Sequence, residues 1–138
     1  KIAVQSAGID STACTGSLVN ASAQGRWSAP FITCTETRGW AVFSDGSVPV
    51  ERSATRAEVV STLLQAFAVP LDPRAGGVFR DVDGSTEFAA AVETAAGDQI
   101  ISGYTDPDGN PTGLFGPTDS VNRAEVAKMV SLALQVYR

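Results

Sequence analysis

Histidine is absent from this 138-residue chain, and methionine occurs once. Without an imidazole, a serine or cysteine nucleophile lacks its usual general base, and no carboxylate pair stands out for glycosidic cleavage, so the chain is not expected to be an enzyme. Cysteine is scarce as well. Cys14 and Cys34 are the only two, and their spacing matches no metal signature, which would call for further Cys or His ligands. Neither a metal nor a cofactor is expected. No apolar run approaches the roughly 20 residues needed to cross a bilayer, and no signal-peptide pattern opens the chain at Lys1. The mature polypeptide is expected to be soluble, or its targeting segment has been removed. Lysine is nearly missing too: Lys1 and Lys128 are the only two of ten cations, against fifteen acids and a formal charge of -5. The cations are scattered, so a nucleic-acid footprint is lacking, and their bias to arginine suits bidentate carboxylate or phosphate contacts.

What is present is enough apolar residue, 43%, for one modest core. The even cysteine count in a Ser/Thr/Gly-rich surround leaves two readings, one disulfide or two buried thiols. A disulfide would imply an oxidising compartment and, by closing a loop of about 20 residues, contribute roughly 3 kcal/mol.

The chain also repeats itself. Trp27 aligns with Phe88, Leu18 with Phe79, Phe31 with Val92, Trp40 with Ile101, Phe43 with Tyr104 and Asp45 with Asp106, all at one offset of 61 residues. Beyond that point the second copy carries the longer "DPDGNPTGLFGPTDS" where the first has "DGSVPVERSA", and the offset grows to 67 when Arg56 meets Arg123. An insertion of six residues belongs in a loop, where it is tolerated. The resulting division is an arm at 1–17, a first repeat at 18–70 and a second at 71–138.

Each copy reads as helix, loop, helix. "EFAAAVETAAGDQI" places Phe88, Val92, Ala95 and Ala96 at helical spacing with Gly97 as a stop, and "WSAPFITCTETRG" repeats the pattern with Pro30 in its first turn. "TRAEVVSTLLQAF" and "NRAEVAKMVSLALQVY" carry broader apolar stripes, and Pro70 and Pro73 close the first of these helices. The arm's "KIAVQS" alternates apolar and polar residues, as a short strand would. The fold expected is mainly α, a small bundle of tandem helix-loop-helix repeats with a strand-like N-terminal arm.

In both doubled strings a cap residue, Thr55 or Asn122, precedes a glutamate, Glu58 or Glu125, by three, which is the spacing of a capping box. That explains everything except Arg56 and Arg123. A cation in the first turn opposes the helix dipole, so these arginines are candidate contacts for a ligand carboxylate or phosphate at a helix N-terminus. The alternative is that each pairs with a nearby acid such as Asp45 or Asp106. Trp40 and Tyr104 lie beside the helix starts and either stack on sugar rings or fill the core. Asp106, Asp108 and Asn110 alternate like calcium ligands, but Pro111 replaces the needed glycine, and a polar turn is the better reading.

The string from Phe79 to Leu134, with its "FRDV" opening, "ISGYTD", "FGP" turn and "NRAE" helix start, resembles an S-layer homology repeat. Leu18 to Val69 resembles a degenerate one: it keeps Trp27, "SDG", Pro49 and "TRAE", but opens with "LVNA" and has Val42 where copy two has Gly103. The resemblance implies a non-catalytic module at the cell surface or cell wall that grips wall polysaccharide, often a glycan bearing a pyruvate ketal. It also implies that Arg56 and Arg123 contact the ligand's carboxylate. Family members commonly use three repeats, whereas two are found here, so partners include the polysaccharide and copies of the chain itself or another surface-layer protein. The alternative function is a structural subunit of a surface layer or extracellular filament that assembles through the arm.

Overall fold

Both doubled strings begin a helix, and for the same reason. At Thr55 the side-chain Oγ1 accepts from the Glu58 N–H (3.2 Å) while Glu58 Oε2 accepts from the Thr55 N–H (2.8 Å); Asn122 and Glu125 exchange the same pair at 2.9 and 2.8 Å. A computed structural model describes residues 1–72 and 77–138; Pro73 therefore lies outside the described residues. Five α-helices occur there: α1 (Ile2–Ser6), α2 (Ala29–Thr37), α3 (Arg56–Ala66), α4 (Ala89–Gly97) and α5 (Arg123–Tyr137). The protein is mainly helical, as expected.

The chain divides into two compact units, 1–53 and 54–138. The border falls just before α3, so the helix that closes the first sequence copy lies in the second unit and packs on α4. The stripe read from the sequence accounts for this, since Val60, Leu63 and Leu64 are buried on α3 and Ala91, Val92 and Ala95 on α4. The alanines let the two helices approach closely.

α3 and α5 start alike but are dressed differently. Ala57, Val60, Ser61 and Leu64 of α3 are buried, whereas their counterparts Ala124, Ala127, Lys128 and Ser131 of α5 are exposed. α5 instead buries Met129 and Ala133.

Helices α2, α3 and α4 all end in the same closure, with bonds from Trp40 N to Thr35 O, Val69 N to Leu64 O and Ile100 N to Ala95 O, each 2.9 to 3.0 Å. The residue before each donor is left-handed: Gly39 (φ 65°), Ala68 (φ 53°) and Gln99 (φ 61°). Gly97, expected as the stop, is the last helical residue of α4, and Gln99 makes the turn. The bonds back to the last turn hold Gln99 there despite its Cβ.

In the first unit the arm is helical at Ile2–Ser6 rather than strand-like. Three alternations are too few to set a period, and only Val4 of this stretch is buried, so no sheet face exists to select an extended chain. The arm then runs along α2. A disulfide joins Cys14 to Cys34, and the Glu36 carboxylate accepts from the Val19 and Asn20 N–H groups at 2.8 Å each. Pro30 lies in the first turn of α2, where its missing N–H costs no helix bond.

Candidate functional site

The first turn of α3 has its amides filled by the long loop of the second copy. The Arg56 N–H donates to Asp119 O (2.9 Å) and the Ala57 N–H to Pro117 O (3.1 Å), while Glu58 N–H is taken by Thr55. Thr55 and Ser120 form an antiparallel bridge, and Val121 N–H donates to Ala54 O. The free helix end that an anion would need is closed here.

The Arg56 side chain is equally engaged. Nε donates to Phe115 O (2.8 Å), Nη1 to Glu125 Oε1 (2.6 Å) and Nη2 to Ser102 O (3.3 Å). The guanidinium carbon lies 4.7 Å from the ring centroids of both Tyr104 and Phe115, and the residue is only 4% exposed. Its acid is thus neither Asp45 nor Asp106. Those two carboxylates organise their own turns, Asp45 accepting from Ser47 N–H and Asp106 from the Asp108 and Asn110 N–H groups. The polar-turn reading of 106–110 accords with this, and hydrogen bonds, first that from Asn110 N–H, hold the Asp106 pKa below its ordinary value.

Arg123 is the opposite case. It is exposed, and among the described residues neither its side chain nor the N–H groups of Arg123 and Ala124 have a hydrogen-bond partner. The same string therefore gives one arginine locked inward and one open to solvent.

Beside Arg56 the surface opens into a cleft of about 190 Å³. Ile101 and Met129, both buried, back it, and Tyr104, Glu125 and Lys128 border it. Gly103 lies in its wall because nothing larger fits: a Cβ there would stand 2.5 Å from Leu114 O and 2.9 Å from the Phe79 ring. A second, open groove of about 440 Å³ also borders Tyr104 and includes Asp81, Glu87 and Asp119. Tyr104 Oη donates to Asp119 Oδ2 (2.8 Å); burial first, and then this bond, push the phenol pKa up.

The loop that presents these groups is tied by the "FRDV" opening. Phe79 and Val82 are buried, and the Asp81 carboxylate accepts from Phe115 N–H (2.9 Å) and Gly116 N–H (2.8 Å). Burial alone would raise the Asp81 pKa, but the two amide bonds outweigh it and the net direction is down. In the first copy Asn20 takes the aligned position and its Nδ2 donates to Val48 O (2.7 Å), so the tie survives with the bond reversed.

Of the site residues expected from sequence, the structure gathers Thr55, Arg56, Glu58, Asn122, Glu125 and Tyr104 within the second unit. Thr55, Glu58 and Asn122 make the capping boxes. Trp40 is 4% exposed in the core of the first unit, following α2, so its ring faces are covered and the core-filling alternative describes it. Lys128 was missed. Its signal was its spacing, three residues after Glu125 and so on the same side of α5.

No curated protein matches the chain. A family model does: the S-layer homology domain matches residues 78–107, a span holding the "FRDV" tie, α4 and the cleft wall from Ile100 to Thr105. Domains of this family are non-catalytic modules that anchor proteins at the cell wall or cell surface. Over residues 78–107 the chain is thus similar to an S-layer homology domain.

Proposed function

We propose that this chain is an anchoring module that binds an anionic cell-wall polysaccharide of the pyruvylated type, with the cleft beside Arg56 as receiving surface and Arg123 as a second contact. The observation that carries the reading is the cleft itself: its wall is built from the matched family segment, and it joins an apolar back to the Lys128 ammonium and the Arg56–Glu125 pair. Such a lining suits a substituent that has both a methyl group and a carboxylate. Arg56 contributes mainly by fixing the cleft, because its charge is already met by Glu125. Tyr104 offers a ring edge at the mouth.

Assembly through strand addition at the arm is not favoured, because residues 2–6 are helical and the arm is bonded to α2 through Cys14. Co-sedimentation with purified cell-wall sacculi tests the proposal, using sacculi before and after mild acid removal of ketals. Retention that falls with ketal removal is expected. An untreated wall that fails to retain the wild-type chain would overturn the anchor.

A further inference from the structure

Resting on that reading, we infer that Lys128 is the residue that pairs with the carboxylate of a ligand seated in the cleft, with Arg56 as a positioning residue. The charge balance of the cleft leads there. Arg56 and Glu125 stand 2.6 Å apart and neutralise each other, and two further Arg56 donors are spent on the carbonyls of Phe115 and Ser102. Lys128 borders the same cleft, is exposed, and has no ion pair or hydrogen bond among the described residues. It is the one uncompensated charge of the lining. An ammonium on a flexible stem also retains its hydration and three donors until a partner arrives, whereas a stacked guanidinium is fixed in place.

The first copy argues that this lysine is not needed for packing. Ser61 holds the corresponding position on α3 and is buried, while α5 places a charged side chain there and leaves it in water. A carboxylate entering over Met129 and Ile101 would bring its apolar part against the back of the cleft and its charge towards Lys128.

The test is calorimetric titration with a methyl glycoside carrying a 4,6-O-(1-carboxyethylidene) ketal, and with the neutral methyl ester of the same compound. Wild type, Lys128→Ala and Lys128→Arg are compared, with thermal melting as the control for folding. Wild type and Lys128→Arg should prefer the acid over the ester by about tenfold, the size of one charge-assisted hydrogen bond in a partly enclosed site. Lys128→Ala should bind both compounds alike and melt as wild type does. Equal binding of acid and ester by wild type, or a preference that survives in Lys128→Ala, would overturn the inference. Sacculus retention that is insensitive to Lys128→Ala would overturn it too while leaving the anchoring function intact.

Discussion

Replacing Arg56 by methionine should unsettle the second unit far more than an ordinary surface substitution would. The change removes a buried cation and leaves Phe115 O and Ser102 O without their donors. Breaking a buried pair by removing one partner costs about 3–5 kcal/mol. Here the lower end applies, because the Glu125 side chain is 29% exposed and keeps its bond to the Asn122 N–H. A loss of about 3 kcal/mol is a large share of the ~5–15 kcal/mol typical of a domain, and for a unit of this size it lowers the melting temperature by roughly 12–24 °C. Circular dichroism at 222 nm reports it well, since α3, α4 and α5 all lie in this unit. Both tryptophans, Trp27 and Trp40, lie in the other unit, so their fluorescence reads the first unit separately. A double-mutant cycle with Glu125→Gln should give a coupling of about 1–3 kcal/mol. If Arg56→Met costs under ~1 kcal/mol yet abolishes sacculus retention, the arginine is a ligand contact and the structural reasoning fails.

Three further expectations can be checked by the same unfolding measurements. Removing the disulfide by Cys14→Ser with Cys34→Ser should cost about 3 kcal/mol, the loop-closure value for a separation of 20 residues, and should appear first in tryptophan fluorescence; coincident curves for mutant and wild type would contradict it. Gln99→Gly should stabilise by about 0.5–1 kcal/mol, since glycine relieves the left-handed strain at the end of α4, and a destabilised variant would show that the Gln99 side chain contributes packing. Acid should weaken the second unit through Asp81: with its folded pKa below the unfolded value near 3.8, its contribution is complete above that value and is lost as the pH falls through the lower folded pKa. Asp81→Ala should remove this acid dependence and cost about 1–3 kcal/mol at neutral pH; an unchanged titration would refute the assignment.

The helices were legible wherever their causes were local. Both capping boxes are fixed by residues three apart, and the stripe of α3 by spacing alone, so each could be read directly. The destination of Arg56 could not, because its partners are more than fifty residues away: Phe115 belongs to a loop whose course depends on the Asp81 tie, and Glu125 to the first turn of α5. Treating the two arginines as equivalent was the natural inference from one repeated string, yet the string does not encode what surrounds it. The arm failed for a different reason: a few alternating residues carry no period until a partner surface selects one. Gly97 shows the limit of residue preference, since the hydrogen bonds that close the helix settled on Gln99 two positions later.

The contrast between the flanks of α3 and α5 has a consequence for growth. An apolar helix approaching α5 along Ala124 and Ala127 would gain little more than two methyl groups, and it would have to strip Lys128 of its water. That flank of α5 therefore gains little by being covered, and Lys128 beside the cleft keeps its contact with water.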